Sequence, residues 1–305
     1  MNILGSMQLG CIYALLALGV YIAFRVMNTP DLTADGSFTL GMSISAVCAA
    51  AGHPFLGLFA GILFGAAAGV VTGLLQTKAG IHPILSGILT MTGLYSINLL
   101  VMNGTPNISL LGRGTLFSLI QQYFPPDARQ FVRLGITLVL CLGSIAVLAW
   151  FFKTAVGLRI RAAGSNEKMV RASSINADTM RIAAITLANG FIGLSGAFLA
   201  QYQGYADINA GTGIVIIGLA SVIIGETLFR MRSLSGGLVA AAAGAVIYRI
   251  MIAFVLSLNF FPAYMLRFLS AVIVTIALAV PHLKQLVSTQ SKRAQNLSVK
   301  EGNHA

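Results

Sequence analysis

The residues of this chain best suited to chemistry with a partner fall in one stretch. Between Lys153 and Arg181 stand six of its nineteen basic residues, Lys153, Arg159, Arg161, Lys168, Arg171 and Arg181, and two of its eight acids, Glu167 and Asp178. On both sides the sequence returns to apolar runs. A long charged segment between such runs has to sit in water, so its chemistry is that of docking. The residue set for bond-making is missing. There is no G-x-x-x-x-G-K-[ST] loop to cradle phosphates, and no His/Asp/Glu or Ser/His set stands within the apolar runs. His53, His82 and His282 sit at the ends of apolar runs without the spacing of a metal site. Cys11, Cys48 and Cys141 are odd in number and lie inside apolar runs, so a disulfide framework is not expected.

The elements that must position this island are set by composition. The chain has 305 residues, 57% hydrophobic and 9% charged, where a soluble domain carries about 25% charged residues. Charged side chains are absent from 1–24, 36–77, 79–112, 134–152, 182–206, 208–225, 233–248, 250–266 and 268–283. About 20 mostly apolar residues cross roughly 30 Å of hydrocarbon. The expected fold is an all-α polytopic membrane protein, with spans near 7–25, 36–52, 55–76, 82–102, 133–152, 180–200, 214–229, 237–256 and 266–282. Nine crossings fit, with eight or ten as alternatives. The segments 36–52 and 214–229 are short and are candidates for broken or partly inserted helices. The period-two alternation of a transmembrane barrel is not seen.

The net charge of +11 follows from the excess of basic residues on the cytoplasmic side of membrane proteins, and nucleic acid is not needed to explain it. By the same rule the island 153–181 and the tail 284–305 are cytoplasmic. Counting back puts the N-terminus and the segment 103–132 outside. Residues 1–283 then form one membrane domain and 284–305 a basic, disordered tail. No basic n-region precedes the first apolar run, so a cleavable signal peptide is not expected. The run Asp35-Gly36 to Gly41 resembles Thr212-Gly213 to Gly218 at an offset of 177, and Ala66 to Gly69 matches Ala241 to Gly244 at an offset of 175. The two copies would cross in opposite directions. This is either an inverted repeat of the kind transporters use or chance similarity of Gly/Ala-rich helices.

Within the island, Gly164-Ser165-Asn166 reads as a turn, with Asn166 as N-cap and Glu167 in the favourable first turn. A helix of about two turns should run to Ser173 or Ser174, too short to stand alone in water. Either it packs on its own membrane domain or a partner's groove holds it; a plain solvated loop is the alternative. Asn176 offers the next cap.

The run Gly157-Leu158-Arg159-Ile160-Arg161-Ala162-Ala163-Gly164-Ser165-Asn166, followed by Arg171-Ala172-Ser173-Ser174-Ile175-Asn176, resembles the cytoplasmic loop of binding-protein-dependent ABC importer permeases. The similar branch is that of the branched-chain amino acid and ribose permeases, whose pattern is close to G-x-x-x-R-A-x-G-x-N, a short helix, then S-G-I-N. Asn28-Thr29-Pro30-Asp31-Leu32 and Ser221-Val222-Ile223-Ile224-Gly225-Glu226 look most like a tryptophan/tyrosine subgroup. Two departures stand out: Glu167-Lys168 replaces Pro-Glu, and Ser174 replaces a Gly that would stop the helix in the left-handed conformation.

The resemblance implies that this helix is a coupling helix, docked on a separate cytoplasmic ATPase that binds ATP and Mg, with contacts among Gly164, Asn166, Glu167, Met169, Val170, Arg171 and Ser173. It implies an extracytoplasmic substrate-binding protein, met by Arg113, Arg129 and Arg133 unless these are merely solvated. It implies a second permease copy, the inner membrane of a bacterium, and no cofactor on this chain. Uncharged candidates for the solute path are Tyr95, Asn98, Asn189, Gln201, Tyr202 and Gln203; each could equally be an interhelical hydrogen bond. Arg249 and Arg267 are expected to snorkel to the interface, Glu226 to pair with Arg230 or Arg232, and Asp31 and Asp35 to pair with Arg25 or line an inner gate. The expected function is import of a small solute, an amino acid first, with a sugar or nucleoside as the alternative. An ion-coupled transporter would favour a carboxylate deep in a span, and the spans hold almost none.

Overall fold

The computed structural model describes residues 3–229, 231, 233–257, 268, 271, 272 and 275. The sequence dictates most element ends. Helix α1 (Ile3–Val20) continues through a π-helical turn (Tyr21–Val26) and is followed by α2 (Thr33–Ala50). Proline at the first helical position opens α3 (Pro54–Thr77) and α4 (Pro83–Val101), where its missing N–H costs nothing. A strand β1 (Asn107–Ser109) and a short helix α5 (Leu116–Gln121) lead to α6 (Arg129–Phe151). The island folds as α7 (Ala155–Ser165) and α8 (Glu167–Ala172). Then come α9 (Ala177–Gln203), β2 (Tyr205–Asp207), α10 (Ile214–Phe229) and α11 (Leu234–Ser257). Strands β1 and β2 pair antiparallel in a two-stranded ribbon, Ile108 opposite Ala206. The sequence pattern gave no sign of this ribbon, because three residues are too few to show alternation.

Six helices among the described residues are long and apolar enough to cross a membrane: 3–26, 54–77, 83–101, 126–151, 177–203 and 234–257. Helices α2 and α10 stand where spans were expected but do not qualify. Helix α2 carries Thr33, Asp35, Ser37, Thr39, Ser43 and Ser45, all but Asp35 buried against protein. Helix α10 has 16 residues, about 24 Å at 1.5 Å per residue. The span 266–282 and the tail 284–305 lie outside the described residues, apart from the few positions given above.

Helices α1 and α9 form the centre and run antiparallel, with Gly19 against Ala188 and Ile192, and Ser195 Oγ donating to the Ile12 carbonyl at 2.8 Å. Helix α3 packs on α9, and α11 packs on α1. In the first of these contacts Gly61, Gly65, Gly69 and Gly73 repeat every four residues along one face. A Cβ added at Gly65 would lie 2.6 Å from the Asn189 carbonyl oxygen, and one at Gly69 2.6 Å from that of Ile185. Without a hydrophobic force between helices in lipid, close backbone approach is the source of packing energy. Polar side chains add bonds between helices. Thr72 Oγ1 links Thr33 and Thr90 at 2.7 and 3.0 Å, and Ser45 Oγ donates to the Ala197 carbonyl.

Both unusual helices start inside the bundle. Asp31, just before α2, accepts from Asn189 Nδ2 at 2.6 Å. Asn189 stands twelve residues past the first residue of α9, about 18 Å along it. Helix α10 starts beside the first turn of α2, since Gly213 N and Val215 N donate to the Asp35 carboxylate at 2.8 and 3.1 Å. From there α2 runs toward the ribbon, where the Ala50 carbonyl accepts from Arg113. Helix α10 runs toward the π-helical turn that α7 packs on, where Glu226 pairs with Arg25 at 2.7 Å. The expected partners Arg230 and Arg232 lie outside the described residues.

Replacing Gly65 by Val should push α3 off α9 and cost about 1–3 kcal/mol, the range for overpacking. The check is the thermal midpoint of the detergent-solubilised protein, with Gly93→Val, whose Cβ meets nothing within 4 Å, as the control that should stay near the parent.

Candidate functional site

The α8 segment is built from its caps. Asn166 Oδ1 accepts from Met169 N at 3.0 Å, as its type and position demand. Gly164 and Ser165 are not a turn; they close α7. Gly164 touches the backbone of Val26 and Met27 so closely that no Cβ would fit. It therefore seats α7 on the end of the first membrane helix. Asn166 alone makes the break between α7 and α8, with φ −155° and ψ 95°.

The helix ends where Ser174 takes the left-handed conformation, φ +58°. Ile175 N donates to the Val170 carbonyl at 3.3 Å and Ser173 N to that of Met169 at 3.1 Å. The first bond is the six-to-one link of a Schellman stop. The helix thus ends as glycine would end it, with a serine carrying the strain.

Four charges brace α8 against the start of α9. Glu167 Oε1 accepts from Arg171 at 2.9 Å and Oε2 from Arg181 at 2.6 Å, and Asp178 Oδ1 accepts from Arg171 at 2.6 Å. Asp178 and Arg181 belong to the first turns of α9, where Asn176 caps Asp178 N and Thr179 N. The hydrogen bond from Arg171, with the charge of Arg181 behind it, holds the Glu167 carboxyl below the usual carboxylate range against a smaller opposing effect of burial. Val170 is buried beneath the helix, whereas Met169 is 67% exposed and Lys168 and Ser173 are exposed. The island therefore splits. Val170 faces the protein itself, Glu167 and Arg171 tie the helix to α9 while staying partly exposed, and Met169 with Lys168 faces out. The i,i+4 spacing of Glu167 and Arg171, and the charges opening the next helix, were the signals for this brace.

At the opposite end Arg113 and Arg129 are exposed. Arg133 is half-buried, with its guanidinium 5.9 Å from the centre of the Tyr202 ring. Arg249 does not snorkel. Its guanidinium lies 3.6 Å from the centre of the Tyr13 ring, inside the bundle. Arg267 lies outside the described residues.

Of the six uncharged path candidates, Tyr95 and Asn98 line a cavity of about 270 Å³ between α2, α4 and the chain that leads into α10. Asp35, Thr39, Thr92 and Thr212 line it too. The other four stand elsewhere. Gln201 is buried and bound throughout, donating to Ser45 Oγ and the Pro54 carbonyl and accepting from Leu116 N. Tyr202 donates to Gln8 Oε1, Asn189 holds Asp31, and Gln203 is exposed near the ribbon. Gln201 and Tyr202 are interhelical ties, because each finds its partner within the bundle. Among the described residues Asp31 and Asp35 meet no arginine; Arg25 is taken by Glu226.

Residues 2–278 match the family described as the branched-chain amino acid transport system permease component. The chain belongs to this family. The permease is 34% identical over 302 residues to the tyrosine transport system permease protein of Clostridioides difficile, 98% of each chain being covered. It is 34% identical over 235 residues to an uncharacterized protein of Rickettsia prowazekii, covering 75% of this chain and 79% of that one. Over 292 residues, 93% of this chain and 86% of the other, it is 25% identical to the ribose import permease protein RbsC of Escherichia coli K12. No solved structure matches it.

Two outcomes check the α8 geometry. Ser174→Gly should relieve the left-handed strain and raise the protection of the α8 amides in hydrogen exchange by about 1 kcal/mol. Because Glu167 titrates below its unfolded value, its contribution is complete above about pH 4.3 and is lost as pH falls through the depressed value. Protection of 167–178, corrected for intrinsic exchange, should hold from neutral pH to that point and then drop, and Glu167→Gln should remove the step.

Proposed function

We propose that this permease is the membrane-spanning subunit of an ABC importer for an amino acid, tyrosine or a close analogue. The observation that carries the reading is α8: a capped, braced helix that offers Met169 and Lys168 outward while its own charges tie it to α9. A helix held that way is a handle for a soluble partner, and full-length likeness to a tyrosine permease says which solute to try first. The partner is a separate ATPase that binds ATP and Mg. A binding protein meets the other end at Arg113 and Arg129, and two copies of the permease complete the path.

In this reading α8 is cytoplasmic, the N-terminus is outside, and residues 1–283 form one membrane domain of nine crossings. The units α1–α3 and α9–α11 are inverted repeats. Each has a long helix, a break, a shorter helix that starts in the interior, and a further long helix. Their contacts exchange in the same way, α3 on α9 and α11 on α1. Movement of the ATPase would pull α8. The ion pairs through Glu167 and Arg171 pass the pull to α9, and Asn189 passes it on to Asp31 at the start of α2. Glu167 and Arg171 are positioning residues, and Met169 is the contact.

The test is reconstitution with the ATPase and binding protein encoded by neighbouring genes. Met169→Asp should abolish tyrosine-stimulated ATP hydrolysis and uptake while leaving the thermal midpoint of the permease unchanged. Unaltered stimulation would remove α8 as the docking element. Uptake of ribose in place of tyrosine by the unmodified complex would overturn the amino acid assignment.

A further inference from the structure

The cavity between α2, α4 and the chain entering α10 has a chemical bias. One wall is the Asp35 carboxylate. The described residues offer it no ion-pair partner, and no Lys, Arg or His lines the cavity. The start of α10 answers it, with Gly213 N on Oδ2 at 2.8 Å and Val215 N on Oδ1 at 3.1 Å, and these do not fill the four acceptor sites of a carboxylate. The second wall is Asn98. It is 1% exposed, its Nδ2 donates to the Gly36 carbonyl at 3.4 Å, and its Oδ1 has no partner. That amide cannot be turned round, because a carbonyl only accepts. A buried acceptor left empty costs free energy. Two acceptors and no cation describe a socket for a group that donates several hydrogen bonds and carries positive charge. Beside them Tyr95, 51% exposed, and Met91 supply aromatic and apolar surface.

We propose that this cavity is a station on the solute path that takes the ammonium group of an α-amino acid between the Asp35 carboxylate and Asn98 Oδ1, with the side chain laid against Tyr95 and Met91. The proposal rests on the amino acid reading above and names the part of the solute that the membrane subunit recognises. It also explains why a carboxylate, and not a serine or asparagine, caps α10. The half-positive start of α10 lies against the Asp35 carboxylate, and no described cation pairs with it. Such a contact is partly offset by the helix, which suits a site that must release what it holds.

The probe is maleimide labelling of Thr92→Cys in the reconstituted complex, with Cys48→Ser to remove the native thiol that is not fully buried. L-tyrosine should slow labelling, and 3-(4-hydroxyphenyl)propionate, which lacks the ammonium, should not. Asp35→Asn keeps a cap oxygen and Asn98→Leu leaves the cap untouched. Each should weaken protection about tenfold, the worth of one charge-assisted or buried hydrogen bond; Asn98→Leu, which leaves both cap bonds in place, should retain the thermal midpoint, and Asp35→Asn, which loses one of them, is read below its own midpoint. Equal protection by both compounds, or protection by L-tyrosine that survives both substitutions, would overturn the ammonium site. So would L-tyrosine uptake by the complex with no protection at all, and that result would leave the importer reading standing. Absence of L-tyrosine uptake by the unmodified complex would instead sink the reading on which the site rests.

Discussion

A helix that begins inside a membrane protein brings unpaired N–H groups into a place without water, and each must find an acceptor. In this permease α10 begins within the bundle, beside a cavity, and Asp35 from the first turn of α2 accepts from Gly213 N and Val215 N. The requirement reaches far. It draws the start of α10 to the start of α2, so the two short helices diverge from a shared interior point. It forces the chain between β2 and α10 to descend beside α2, where Gly211 touches the Asp35 carbonyl and only glycine fits. It leaves a polar cavity where an unbroken span would have left packed hydrocarbon.

Around that point the rest is held by proximity and by hydrogen bonds. Glycines on α3 bring its backbone onto α9, and Gly225 and Gly244 do the same for α10 and α11. The polarity of α2 is tolerable because neighbouring helices cover it and answer its hydroxyls, as Thr72 answers Thr33 and Gln201 answers Ser45. A solitary span with such a composition would be unstable in lipid. The same logic orders the α8 end. Six residues cannot hold a helix alone, so Asn166, the Val170 contact and the ion pairs to α9 hold it together. The ion pairs join α8 to α9, and α9 carries the tie from Asn189 to Asp31.

Much of this was legible in the residues. Charge-free runs marked the long helices, and Asn166 and Asn176 the caps of α8 and α9. The short segments 36–52 and 214–229 were already marked as odd by their length. The contents of the site were legible only in part. Tyr95 and Asn98 could be singled out as polar residues in a span, but so could Gln201 and Tyr202, which tie helices together. Nothing in residue type separates these pairs, since an amide in an apolar run needs a partner wherever it stands. The fate of Ser174 was equally open. Serine does not favour the left-handed region, and only the Schellman bond from Ile175 to Val170 shows that it goes there.

The sequence by itself determined that the chain is a bundle of apolar helices with one charged segment in water, and its motif there pointed to the permease family. These properties follow from composition and short-range spacing, which solvent and the helix period read directly. Tertiary structure decided which charges meet. Arg25 could have taken Asp31, Asp35 or Glu226, and it takes Glu226. Glu167 and Arg171 sit four apart on α8, and each also reaches a residue in the first turns of α9. Such choices depend on where the helices lie against one another, over separations of up to 201 residues, and local sequence carries no record of that distance.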